Sequence, residues 1–181
     1  MRKPNMFDKQ FGPLLGLPCW GVNWEPQLNL SMNFGKPHLN IMEPRRIETD
    51  SKRLRLMYAH RKVTVRGDWW LWLFVSRWKL SISGLDDVTS SGSNIRIQKA
   101  LRLLDGQCLQ QVTVDPDDGH TIFEFDLGAV LNVRAMDRSR KSDIWTLYKP
   151  KERVLSVQGN GTFHLGSSHG ESVYRPIPGR R

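Results

Sequence analysis

The chain has 181 residues, 39% of them apolar, with 27 lysines and arginines against 18 aspartates and glutamates, a net charge of +9. That length suits one domain or two small ones packed together, and the apolar share is enough for a buried core. The longest apolar run, Trp69 to Val75, falls far short of the ~20 residues a membrane-spanning helix needs. The basic start Met1-Arg2-Lys3 leads into no apolar stretch, so no signal peptide is expected. Two cysteines, Cys19 and Cys108, are too few for a disulfide scaffold; each is expected to be a small buried side chain, in a protein of the cytoplasm.

In chain order, residues 1–11 read as a disordered tail. Strand patterning starts at Trp20 to Trp24. It is clearest where Leu28, Leu30, Met32 and Phe34 alternate with Asn29, Ser31 and Asn33, the period of a strand with one buried face. Gly35-Lys36-Pro37 breaks the run and Leu39 and Ile41 open the next strand, after which Glu43 to about Lys62 reads as a long basic loop. Trp69 to Val75 is apolar on both faces, with Trp70 and Trp72 on one side and Trp69, Leu71 and Leu73 on the other. That pattern predicts a central strand covered on both sides, the alternative being an exposed aromatic platform.

Trp78, Leu80 and Ile82 continue the strand pattern. A polar stretch from Asp86 to Ser93 then leads into a helix with Ile97, Ala100, Leu101 and Leu104 on one face, capped by Ser93 or Asn94 and ended by Asp105-Gly106. Beyond it, Leu109 to Val114 reads as a strand, and Asp115-Pro116-Asp117-Asp118-Gly119 as a hairpin turn in which proline presets one dihedral and glycine admits positive φ. Further strands are expected around Phe123 and Phe125, Leu131 and Val133, Ile144 to Tyr148, and Leu155 and Val157. Residues 164–181, rich in glycine and serine and then in proline and arginine, read as a second disordered tail.

Leu80-Ser81-Ile82-Ser83-Gly84 returns 75 positions later as Leu155-Ser156-Val157-Gln158-Gly159, with Asp68 falling on Asp143 and Trp70 on Trp145. Leu39-Asn40-Ile41 likewise parallels Leu131-Asn132-Val133. These matches predict a mainly β protein of two pseudo-symmetric repeats, about five strands each, at 12–84 and 105–163, joined by a linker and helix at 85–104. The repeats are expected to share one core as a sandwich or barrel-like unit. Phe123-Glu124-Phe125-Asp126-Leu127-Gly128, Trp145-Thr146-Leu147-Tyr148-Lys149-Pro150 and Gly159-Asn160-Gly161-Thr162-Phe163 together resemble hypothetical bacterial proteins of unknown function. That resemblance covers about a third of the chain and implies no activity and no site.

The positive charge is concentrated in two segments. Glu43 to Arg66 carries eight basic residues against three acidic, and Arg134 to Arg153 carries seven against three. The candidate partner-binding residues are Arg45, Arg53, Arg55, Arg61, Lys62, Arg138, Arg140 and Lys141, expected to form a joint basic surface. No catalytic or metal motif is legible: the five histidines have no H-x-x-H spacing, the cysteines form no C-x-x-C, and there is no G-x-S-x-G or phosphate-binding loop. No cofactor is implied. Arg66-Gly67-Asp68 matches an adhesion tripeptide, but its place at a strand start marks it as coincidence. The leading expectation is therefore a non-enzymatic module, of an immunity or adaptor kind, that binds a protein with an acidic surface. Nucleic-acid binding through the same loops is the alternative, although the two segments offer few aromatics, such as Tyr58, His60 and Tyr148, on which bases could stack. A third reading is a ligand or enzyme pocket between the repeats, lined by several of His38, Asp68, Asp126 and Asp143.

Overall fold

Alternating apolar and polar residues over most of the chain commit it to strands, and the structure, a computed structural model, is mainly β. It describes residues 5–25, 29–74, 76–137 and 141–179; Leu28 and Val75, assigned above to strands, lie outside these. In order the elements are α1 (Met6–Phe11), a short 3-10 turn (Gly12–Leu14), β1 (Trp20–Glu25), β2 (Asn29–Phe34), β3 (His38–Met42), α2 (Lys52–Tyr58), β4 (Lys62–Arg66), β5 (Trp69–Phe74), β6 (Ser76–Ser81) and β7 (Val88–Thr89). They continue with α3 (Asn94–Leu104), β8 (Leu109–Val114), β9 (Thr121–Phe125), β10 (Val130–Ala135), β11 (Asp143–Lys149), β12 (Arg153–Gln158), β13 (Thr162–Ser167) and β14 (Arg175–Pro176). No helix among the described residues is long and apolar enough to cross a membrane.

The strands form a seven-stranded sheet in the order β1-β2-β5-β11-β12-β13-β14, a five-stranded sheet in the order β7-β6-β10-β9-β8, and the separate hairpin β3-β4. Neither large sheet closes on itself, which removes the barrel alternative. The two share one apolar core: Leu30, Met32, Leu71, Leu73, Trp145, Leu147 and Leu155 from the larger sheet pack with Trp78, Leu80, Phe123, Leu131 and Val133 from the smaller. Trp145 sits at its centre with no exposed surface. Its Nε1–H donates to Thr121 Oγ1 at 2.8 Å, tying β11 to β9 across the layers.

Local signals set several elements as expected. Ser93 Oγ accepts from Arg96 N–H at the start of α3, whose Ile97, Ala100, Leu101 and Leu104 are all buried. The turn from Asp115 to Gly119 joins β8 to β9, with the Asp115 and Asp118 carboxylates accepting from the backbone N–H groups of Asp117 and His120, each at 2.9 Å. Cys19 and Cys108 are both free, the first buried and the second half-buried. Cys19 Sγ–H donates to Leu104 O at 3.2 Å, and burial pushes its thiol pKa up to about 12.

Three sequence expectations need correction. At the N-terminus, Asn5 and Asp8 form a reciprocal capping box for α1, and Phe7 and Phe11, one helical turn apart, are buried against Trp145 with ring centroids 6.4 and 5.7 Å away. At the C-terminus, β13 and β14 pair and Ile177 is buried, its N–H donating to Gly161 O at 2.9 Å. The preceding segment lies over His164, whose Nδ1–H donates to Val173 O at 3.0 Å, and Tyr174 O–H donates to Asp143 at 2.7 Å. Averaged composition hid both contacts, because a few apolar anchors outweigh many polar neighbours once a groove exists for them.

The third correction concerns the repeat. The matched runs lie in different sheets, Leu80-Ser81 on β6 in the smaller and Leu155 to Gln158 on β12 in the larger. Trp70 and Trp145 face opposite ways: Trp145 pairs with Leu73 and points into the core, whereas Trp70 pairs with Tyr148 on the outer face. Leu131 and Val133 are fully buried, whereas β3, which carries Leu39 and Ile41, is exposed along its whole length. The cause is the connection. Between β5 and β6 the chain crosses from one sheet to the other, but between β11 and β12 it doubles back within its sheet, through Lys151 and Glu152 at φ 62° and 55°. The strand pairings accordingly show no pseudo-symmetric pair of units.

Two outcomes follow. Phe11→Ala is expected to cost about 3–5 kcal/mol in urea denaturation, as for a core phenylalanine, where a residue of a disordered tail would change stability by less than ~0.5 kcal/mol. Cys19 favours its neutral form in the fold, so its contribution to stability is full below pH 9.0, the ordinary thiol value, and is lost as pH rises from there towards about 12. Denaturation midpoints across that window should therefore fall less steeply in Cys19→Ala than in the wild type.

Candidate functional site

Residues 38–66 carry all eight cations of the first basic segment and stand outside both large sheets as β3, an irregular stretch, α2 and β4. Leu39 pairs with Val65 and Ile41 with Val63, so one face of the hairpin is wholly apolar. All four side chains are at least half exposed, Leu39 at 64%. Ser51 caps α2 through its Oγ, yet α2 buries no residue and leaves Leu54, Leu56 and Met57 in solvent. A two-stranded hairpin with a bare apolar face is marginal in water, and surfaces of this kind mark interaction sites.

The base of this arm is fixed firmly. Gly67 N–H donates to Asn33 Oδ1 at 3.0 Å, and Lys36 N–H donates to Asp68 Oδ2 at 2.8 Å, closing the two chain crossings onto each other. A Cβ at Gly67 would lie 2.4 Å from Phe34 O, so only glycine fits there. Arg66 lays its guanidinium 3.9 Å over the Trp70 ring, and burial lowers its pKa. Arg66, Gly67 and Asp68, which mimic the adhesion tripeptide, are thus each engaged in holding the arm.

Trp70 begins an aromatic column on the outer face of the larger sheet. Trp70 stacks on Trp72 with centroids 5.6 Å apart and on Tyr148 at 4.9 Å, and Trp72 packs against Phe74 at 5.1 Å. β5 is therefore central in its sheet and buries Leu71 and Leu73 on one side, but among the described residues no further layer covers the other; its indoles are half-buried by one another. The ring faces are taken up by neighbouring rings and by Arg66, which leaves little for a nucleobase to stack on.

The sequence-predicted binding residues divide. Arg45, Arg53, Arg55, Arg61 and Lys62 are all on the arm and exposed. Arg45 packs 4.6 Å over Tyr58, and Arg61 is held by Glu43 at 2.9 Å. Among the described residues no carboxylate pairs with Arg53, Arg55 or Lys62. Arg138 and Arg140 lie outside the described residues. Lys141 precedes β11, and β11 runs antiparallel to β5 with Tyr148 opposite Trp70. Lys141 is therefore at the far end of β11 from the arm base, about 16 Å or more along the strand at ~3.3 Å per residue. Register thus separates Lys141 from the arm's base by the length of β11. It is the turn carrying Lys149, Lys151 and Arg153 that lies at the arm's end of the sheet, with Lys149 Nζ donating to Gln10 Oε1 of α1.

Sequence reasoning missed the apolar face, although Leu39-x-Ile41 and Val63-x-Val65 both alternate; the cross-strand pairing that unites them was the hidden part. The acidic residues considered for a pocket are spent separately. Asp68 accepts from Lys36, Asp126 Oδ1 accepts from Cys108 N–H at 2.8 Å, and Asp143 accepts from Tyr174. No known protein family, curated protein or solved structure matches the chain.

Gly67→Ala should loosen the arm base, costing about 1–3 kcal/mol by the cost of overpacking. Faster amide hydrogen exchange is expected in residues 38–66 than in β11 or β12, and equal acceleration throughout would refute a local lock.

Proposed function

We propose that this protein is a non-enzymatic binding module that captures an acidic protein partner through the arm of residues 38–66. The observation that supports this most is the exposed apolar face of Leu39, Ile41, Val63 and Val65 within a segment bearing eight basic and three acidic residues. An apolar centre with a charged rim is the anatomy of a protein interface, in which burial supplies affinity while charge selects the partner and speeds encounter. The charge also favours one occupant over another. A second copy of the chain would bring two basic arms together, whereas an acidic protein neutralises Arg53, Arg55 and Lys62, which among the described residues have no carboxylate of their own. The self-stacked aromatic column argues against a nucleic acid on this surface.

The test is capture from native cells with tagged protein, with and without nuclease, followed by titration of the purified partner. Reversing charge at Arg53, Arg55 and Lys62 together should weaken binding by at least about tenfold with no change in melting temperature. Leu39→Ser with Val65→Ser should do the same. Nuclease-sensitive capture, or binding indifferent to both sets of changes, sinks the reading.

A further inference from the structure

At the opposite end of β5 from the arm, β6 and β10 run side by side with Arg77 opposite Arg134 and Lys79 opposite Asn132. Strand alternation puts these four side chains on the face away from the buried Trp78, Leu80, Leu131 and Val133. Thr89, opposite Lys79 on β7, extends the row, and its hydroxyl lies 3.2 Å from that of Ser91. All six residues line one cleft of about 1050 Å³, whose remaining wall is largely apolar and includes Trp24 and Met136.

Three observations point to an anion. Among the described residues no aspartate or glutamate lines the cleft. Lys79 has Asp87 at 2.9 Å, but among the described residues neither Arg77 nor Arg134 has an ion-pair partner. Like charges directly opposite on antiparallel strands, ~4.5–5.5 Å apart at Cβ, destabilise the pair unless something neutralises them. In the same lining, Asn29 Oδ1 is buried and has no hydrogen-bond partner, an acceptor open to a ligand hydroxyl or N–H.

We propose that this cleft binds a soluble organic phosphate, a site separate from the arm. Its phosphoryl oxygens lie between Arg77 and Arg134, with Lys79, Thr89, Ser91 and Asn132 as further donors, and its organic body rests on the apolar wall. A phosphate monoester carries about −1.5 to −2 at neutral pH, which matches two unpaired guanidinium groups, whereas a single carboxylate supplies half of that. The cleft also has the volume of a small-molecule pocket.

Calorimetric titration of the full chain with AMP, adenosine and inorganic phosphate tests this. AMP is expected to bind, inorganic phosphate more weakly, and adenosine not detectably. Arg77→Gln and Arg134→Gln should each weaken AMP by at least about tenfold, while Lys99→Gln, which removes the same charge from α3 outside the cleft, should leave it unchanged. The triple reversal in the arm should also leave AMP binding intact, so the two sites fail independently. The proposal is overturned if AMP binds no better than adenosine or inorganic phosphate at millimolar concentration, if Lys99→Gln is as damaging as the cleft variants, or if phosphate is recognised only in phosphatidate vesicles.

Discussion

The indole of Trp145 lies wholly buried between the two sheets, and its Nε1–H donates to Thr121 Oγ1 on the facing layer. Around it, Phe7, Phe11 and Phe123 make edge-to-face contacts with ring centroids 5.7 to 6.4 Å away. A buried tryptophan supplies a large apolar surface but carries one donor that must be satisfied, so it fixes its neighbours in position as well as in composition. Here that donor sets β9 against β11, while the ring gives the N-terminal helix the surface on which to fold. Both proposed sites hang from strands that this centre positions: β5 pairs directly with β11, and β10 pairs with β9.

The larger sheet then divides the labour along β5. At one end, Gly67, Asp68 and Arg66 fasten the basic arm to Asn33, Lys36 and Trp70, so a segment with few stabilising contacts of its own leaves a rigid base. At the other end the chain crosses to the smaller sheet, and that crossing brings Arg77 beside Arg134. The aromatic column between the ends is engaged in its own contacts: Trp70 packs with Arg66, Trp72 and Tyr148. One strand thereby separates the apolar, basic arm proposed to bind a protein from the cationic cleft proposed to bind an organic phosphate.

Particular elements show how far the sequence could be read. α3 was legible to its cap because its amphipathic period and Ser93 are local signals. So was the turn at Asp115 to Gly119, where proline, aspartate and glycine each fix a dihedral or a hydrogen bond nearby. α1 carried its own signal in Asn5, Asp8 and the spacing of Phe7 and Phe11, but six residues make a helix only when a core waits for its two phenylalanines. The repeat misled for the opposite reason. Short matches such as Leu80 to Gly84 with Leu155 to Gly159 record similar strand chemistry, and strand chemistry does not say which sheet a strand joins.

The sequence by itself determined the mainly β character, the helix between the two halves, the hairpin turn, and the concentration of charge before Arg66, because each depends on neighbours a few residues away. Only the tertiary structure decided that Trp145 is core while Trp70 is on the outer face, that Lys141 lies at the far end of β11 from the arm's base, that Leu39, Ile41, Val63 and Val65 share one face, and that Arg77 meets Arg134. Those outcomes depend on strand register and on where the chain crosses between sheets. Register is set by the pairing of residues far apart in sequence, and a shift of one position turns every side chain to the other face.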